Sequence, residues 1–163
     1  MNFHWALEAL EENSYSSKDD ISDETTLSKT LDDATDDTSA HNQSSIVFLL
    51  ETDEKQKFLF TGDAGRDAFN HVPQTLLGKV KDVTWMKVPH HGSKHNLDST
   101  IIKHVNPEIA YISTEKQGKY LNRSTVFALK KNGTKVYSTS QNRSTIRHGA
   151  IKTREGWTKI EPM

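Results

Sequence analysis

The chain has 163 residues, a length that predicts one domain with a single core. Hydrophobic residues make up 33% of it and the mean hydropathy is −0.73, so part of the chain is expected to stay outside that core. Cysteine is absent, which excludes disulfides and thiolate metal sites, and no apolar run is long enough to span a bilayer. The first ten residues lack the pattern of a secretory signal, which favours a cytoplasmic location.

The formal net charge of −1 hides a strong asymmetry along the chain. Residues 11–40 contain ten acidic and two basic residues among eleven serines and threonines, a composition typical of a solvated, disordered insertion. Residues 111–163 contain eleven basic and three acidic residues. We therefore predict an N-terminal segment over 1–40 and a globular domain over 41–163. An alternative is that the acidic segment covers the basic third.

Apolar runs and turn residues predict an α/β domain whose strands alternate with helices. The predicted strands cover residues 45–51, 57–60, 83–88, 109–113 and 136–138. The predicted helices cover residues 67–77, with Pro73 limiting the first of them, then 97–104 and 124–131 with Ser124 as the N-cap. Residues 146–153 and 157–160 are expected to form a closing hairpin.

Two of the predicted strands end in ionisable residues. Thr61-Gly62-Asp63 follows the second strand, and Pro89-His90-His91-Gly92-Ser93 follows the third. Ligand sites of open α/β sheets form outside the carboxyl ends of the strands. Carboxylate oxygen and imidazole nitrogen are suitable ligands for Zn²⁺ or Mn²⁺. Each motif alone is also typical of an ordinary turn or helix cap, but the pair predicts a metal site.

The same motifs carry a family resemblance. Residues 42–47 (NQSSIV), 58–64 (FLFTGDA) and 87–93 (KVPHHGS) resemble, in order and spacing, the metallo-β-lactamase fold, and within it the hydrolase domain of ComEC-like DNA-uptake proteins. The resemblance covers residues 42–163. It implies an αββα sandwich and a hydrolytic site with two Zn²⁺ or Mn²⁺ ions.

The resemblance also implies roles for individual residues. Asp63 matches the aspartate that bridges two metal ions, and His91 matches the next metal ligand because it directly precedes the glycine. His90 is either the ligand instead or a neighbour that contacts the ligands or the substrate. His41 is a further candidate ligand, since it lies four residues before Ser45.

Two more residues are candidates for substrate binding near the same turn. The resemblance implies that Ser93 hydrogen-bonds a phosphate oxygen, and His95, which follows the same motif, is expected to line the mouth of the site.

The sequence departs from the family pattern in two places. The main ligand cluster of the superfamily, H-x-H-x-D-H, is absent, and Asn122-Arg123-Ser124 stands where ComEC-like proteins often have His-Pro. We therefore expect only the C-terminal half of the fold, with an apolar face left uncovered and too few ligands for two ions. Such a chain is a fragment of a longer enzyme, a split enzyme completed by a second chain, or a remnant.

The predicted function is a metal-dependent hydrolase of phosphodiesters that is incomplete alone. The basic third would attract phosphates, which favours a nucleic acid or nucleotide as substrate. The alternative is a non-catalytic binding module that contacts nucleic acid through the same basic residues: Lys130, Lys131, Lys135, Arg143, Arg147, Lys152 and Arg154.

Overall fold

The computed structural model describes residues 24–115, 119–140, 144–145, 155, 158–159 and 162–163. Its centre is a five-stranded mixed sheet in the order β1-β2-β3-β4-β5. The strands are β1 (Phe48–Glu51), β2 (Lys57–Phe60), β3 (Trp85–Lys87), β4 (Ile109–Ile112) and β5 (Lys135–Ser138). β1 and β2 form the predicted antiparallel hairpin, and β2 to β5 run parallel. The α/β class is confirmed.

Six helices accompany the sheet in the described part of the chain. They are α1 (Glu24–Asp32), α2 (Ala40–Gln43), α3 (Arg66–Asn70), α4 (Gln74–Leu77), α5 (Ser99–Val105) and α6 (Arg123–Lys131). The helix predicted over 67–77 is two helices, because Pro73 interrupts it and becomes the N-cap of α4. The N-cap of α6 is Asn122 and not Ser124, since the Asn122 side chain accepts a hydrogen bond from the Ser124 amide at 2.9 Å. None of the described helices has the length and apolarity to cross a bilayer.

One face of the sheet forms the hydrophobic core. Leu59, Met86, Ala110 and Val136 lie side by side on neighbouring strands and are almost fully buried. They pack with side chains from α1, α5 and α6, which contact one another. Burying the leucine, methionine or valine side chain stabilises the fold by about 1.5–3 kcal/mol relative to leaving it exposed.

The other face of the sheet carries aromatic rings and remains more open. A row of ring contacts crosses all five strands, with centroid distances of 4.6–5.5 Å, through Phe48, Phe60, Trp85, Tyr111 and Tyr137. At the β1 edge the apolar side chains are exposed, by 80% for Ile46, 51% for Phe48 and 52% for Leu50. An uncovered apolar surface of this kind was expected from the half-fold reading.

The acidic segment differs from its prediction as a disordered insertion. Residues 24–32 form α1, and Leu31 is fully buried in the core. Arg66, also buried, binds the backbone carbonyl of Leu31 at 2.8 Å and the carboxylate of Asp36 at 3.0 Å. Residues 24–32 therefore pack on the core although their composition is polar. Residues 1–23 lie outside the described residues, and the predicted boundary at 40/41 stays a prediction.

A second sheet has two short strands, in which β6 (Ser144–Thr145) pairs in parallel with β7 (Thr158–Lys159). The closing hairpin predicted over 146–153 and 157–160 stays a prediction, because the whole of its first strand lies outside the described residues.

Candidate functional site

The two ionisable turns lie side by side because β2 and β3 are parallel neighbours. The backbone amide of His90 donates to the carbonyl of Gly62 at 3.3 Å, and the Thr61 hydroxyl donates to the carbonyl of Lys87 at 2.7 Å. The carboxyl ends of both strands therefore meet at one edge of the sheet, as their places in the sequence predict.

Asp63 is held by the turn that follows β2. Gly62 has a φ of +55°, and a Cβ at this position would lie 3.0 Å from the Cβ of Ser45, so the close approach requires glycine. The Ser45 hydroxyl accepts the amide hydrogen of Asp63 at 3.1 Å. The side chain of Asp63 is 37% exposed and pairs with the ammonium of Lys87 at 3.3 Å. Its carboxylate is thus already partly neutralised by a cation of the protein.

The histidine turn has an unusual backbone. His90, His91 and Gly92 all have left-handed φ values, of +41°, +56° and +86°. Such a conformation costs about 1–3 kcal/mol for each non-glycine residue and persists only where the surrounding structure enforces it. Strain of this kind is concentrated at functional sites, which makes the turn the strongest backbone indication of a site in the described residues.

The two imidazoles are each held through Nδ1. The Nδ1 atom of His90 lies 3.0 Å from the Asp37 carboxylate, and that of His91 lies 2.5 Å from the carbonyl of Ser113. The ring of Tyr120 lies 4.3 Å from the His90 ring and 6.0 Å from the His91 ring, measured between centroids. Binding at Nδ1 orients an imidazole and leaves Nε2 for a ligand or a proton.

Asp37 is the residue of this site that sequence reasoning missed. Its carboxylate accepts hydrogen bonds from the Asn42 amide at 2.6 Å, the Ser39 backbone at 2.9 Å and the Asn96 amide at 3.1 Å. Burial raises the pKa of this carboxyl, but the hydrogen bonds from Asn42, Ser39, Asn96 and His90 outweigh burial and lower it to about 2. Asp37 belongs to no motif, and in a segment rich in acidic residues nothing in the sequence distinguishes it from its neighbours.

Asn96 connects the parts of the site and was also missed. It is fully buried, and its amide nitrogen lies within 3.1–3.2 Å of the Asp37 carboxylate and the carbonyls of Asp63 and Ala64. Three acceptors around one atom fix the orientation of the amide. The opposite atom, Oδ1, has no hydrogen-bond partner among the described residues. Asn96 thereby ties the loop of Asp37 to the turn of Asp63.

The remaining candidates lie around the histidine turn or away from it. Ser93 is only 4% exposed and accepts the amide hydrogen of His95 at 3.2 Å, so its hydroxyl serves the turn. The His95 ring binds the carbonyl of Thr35 at 2.7 Å, which links the turn to the acidic segment. His41 is exposed on α2, one residue before Asn42.

The side chains present do not make a complete metal centre. Within the described part of the chain, no three histidine, aspartate or glutamate side chains come together closely enough to hold an ion. The Lys87 ammonium pairs with the Asp63 carboxylate, and the Asp37 carboxylate contacts Nδ1 of His90. The two ions that the resemblance implies do not fit this set of donors alone.

Comparisons with known proteins give one informative match. The chain is 30% identical over 128 residues to ComE operon protein 3 of Bacillus subtilis (strain 168). The matched region is 77% of this chain but 16% of the relative, so the chain spans a small part of that protein's length. No protein-family model matches the sequence, and no solved structure matches it. The match supports a relation to competence-associated proteins, as the resemblance to ComEC-like proteins predicts.

Proposed function

We propose that this chain supplies one part of a phosphodiester-hydrolysing site in a protein associated with DNA uptake. The observation that carries the proposal is the meeting of two strand-end turns, one with Asp63 and one with the strained pair His90-His91. A carboxylate and two oriented imidazoles at one sheet edge can bind a cation or exchange protons with a substrate.

The proposal includes an incomplete centre. Asp63 and His91 are the ligands that this chain offers to Zn²⁺ or Mn²⁺, and further ligands come from outside the described residues, in this chain or in a partner. When bound, the metal would activate water for attack on a phosphodiester. The exposed edge residues Ile46, Phe48 and Leu50 support the proposal, because they leave an apolar surface on which a completing part would pack.

The proposed substrate is a nucleic acid or a nucleotide. Of the basic third, Lys131 and Lys135 are described and exposed. Lys135 pairs with Glu108 at 3.6 Å and Lys131 binds the Ser28 hydroxyl at 3.3 Å, both contacts that a phosphate would displace easily at such exposed sites. Four other residues of the predicted basic set lie outside the described residues: Arg143, Arg147, Lys152 and Arg154.

The test is the metal content of the protein purified from its own cells, measured by mass spectrometry together with hydrolysis of a phosphodiester probe. Asp63→Ala and His91→Ala should each lower bound Zn²⁺ or Mn²⁺ and hydrolysis by more than about tenfold. The controls are Asp67→Ala and His104→Ala, which change exposed residues of α3 and α5. Equal metal content in all four variants would contradict the proposed ligands.

A second candidate function is a non-catalytic module that binds nucleic acid. The observation that favours it is Lys87, whose ammonium lies 3.3 Å from the Asp63 carboxylate, where a metal ion would have to bind. Binding of single-stranded DNA would then weaken steeply with salt and be unaffected by a chelator. Chelator-sensitive binding would favour the hydrolytic site instead.

A further inference from the structure

We propose that Asp37 is a positioning residue for His90, which it holds with the proton on Nδ1 so that Nε2 keeps the free lone pair of the ring. The role of this lone pair in a hydrolytic site rests on the proposed function, whereas the tautomer does not. Asp37 belongs to the acidic segment and His90 to the turn after β3, so the contact joins two parts of the chain that are 53 residues apart.

The direction of the hydrogen bond follows from the surroundings of Asp37. Three N–H groups, from Asn42, Ser39 and Asn96, already donate to its carboxylate. A carboxylate that accepts several hydrogen bonds is stabilised in its charged form and carries no hydrogen of its own. The 3.0 Å contact with His90 is therefore favourable only if the ring nitrogen donates.

One competing donor has to be considered. The amide nitrogen of Asn42 lies 3.3 Å from Nδ1 of His90, and a hydrogen bond from it would require an unprotonated Nδ1. The same nitrogen lies 2.6 Å from the Asp37 carboxylate, which is the closer and charged acceptor. An unprotonated Nδ1 would also leave two acceptors facing each other at 3.0 Å. The Asn42 amide therefore donates its hydrogen bond to Asp37 and not to His90.

The His90 ring has little room to rotate away from Asp37. The His90 side chain is 15% exposed, and that of Asp37 is 11% exposed. The Tyr120 ring packs against the His90 ring, and the left-handed backbone of His90 fixes the direction in which the side chain leaves the main chain. A neutral imidazole held in this way presents Nε2 to accept a proton from water or a hydroxyl, or to bind a cation.

The test is the tautomer of His90 in the whole chain, read from two-bond ¹H–¹⁵N couplings in a ¹⁵N-labelled sample. The couplings are recorded at about pH 8 and identify which of the two ring nitrogens carries a proton. We expect Nδ1 of His90 to be protonated and Nε2 to be unprotonated. A wild-type spectrum with the proton on Nε2 overturns the proposal without the need for any variant.

Two variants separate positioning from general support of the fold. Asp37→Asn should abolish the preference for a protonated Nδ1, while Asp33→Asn, the same change at an exposed acid of the same segment, should leave the tautomer unchanged. Asn42→Ala removes the competing donor and keeps the carboxylate, so His90 should retain its Nδ1 proton. A tautomer that changes in Asn42→Ala and persists in Asp37→Asn would assign the ring to Asn42 and refute the proposal.

The outcome is separable from that of the proposed function. An Nδ1-protonated His90 in a protein that neither binds metal nor hydrolyses phosphodiesters would support the role of Asp37 and remove the hydrolytic site. An Nε2-protonated His90 in a metal-loaded, active protein would refute the role of Asp37 and support the hydrolytic site.

Discussion

Leu31→Ala tests whether the acidic segment is part of the folded unit. Leu31 is fully buried between α1 and the core, although composition predicts a solvated insertion for its segment. Alanine has the higher intrinsic helix propensity, so the substitution does not weaken α1 by itself. Any large loss of stability must then come from the packing of α1 against the core.

The magnitude follows from the burial of the side chain. Replacing a fully buried leucine by alanine removes its transfer free energy and leaves a cavity, which together cost about 2–5 kcal/mol. Domains of this kind are stabilised by about 5–15 kcal/mol in total. We expect a loss of about 3 kcal/mol, which lowers the melting temperature by about 6–12 °C for a chain of this length.

The assay is urea unfolding followed by circular dichroism, with Leu76→Ala as the control. Leu76 is 43% exposed on α4, so the same chemical change should cost no more than about 0.5 kcal/mol there. If Leu31→Ala lowers the unfolding free energy as little as Leu76→Ala does, α1 does not pack on the core. The contacts of Arg66 and Asp37 with the rest of the site would then have no support either.

Three further predictions concern the site and the aromatic face. Asp37→Asn should reduce the unfolding free energy by about 2 kcal/mol near neutral pH. This difference should fade as pH falls from about 4 towards 2, because the pKa of Asp37 is about 2 in the folded state and higher in the unfolded chain. A difference that stays constant with pH in urea titrations contradicts this prediction. Gly92→Ala should cost about 1–3 kcal/mol in thermal unfolding, since its φ of +86° disfavours alanine and the new Cβ would lie 3.2 Å from Ile112 and Leu121; a neutral result would mean that the turn relaxes. Burial, with a smaller contribution from Tyr137, raises the pKa of Tyr111 to about 12, so the free energy of unfolding should fall between pH 10 and 12, where Tyr111 ionises in the unfolded chain but not in the folded one. A spectrophotometric titration of Tyr111→Phe should lose the absorbance change near pH 12.

Local patterns predicted the sheet well. The apolar run Lys57–Phe60 and its polar turn predict a hairpin partner for the preceding strand, and the structure has the same bounds for β2. The placement of Asp63 and His90 at strand ends also predicts that their turns meet, because parallel neighbours end at one edge. These inferences succeed because they depend on residues close together in the chain.

The missed features depend on contacts between distant residues. The four-residue spacing of Leu27 and Leu31 is weak evidence within a segment rich in acids, and only packing against the core shows that α1 is a core helix. Asp37 acquires its role from Asn96 and His90, which are more than fifty residues away in the chain. Composition averages over a segment and cannot single out the one acid that is buried.

Arg66 has a consequence for anyone who trims this chain for expression. Its guanidinium is 8% exposed and depends on Asp36 and the carbonyl of Leu31, both within the stretch that composition marks as dispensable. A shortened protein that starts at residue 41 would lose both of these partners and the helix α1 that packs on the core. Because the total stability of such a domain is only about 5–15 kcal/mol, a cloning boundary chosen from low complexity would weaken the fold even though every strand of the sheet is retained.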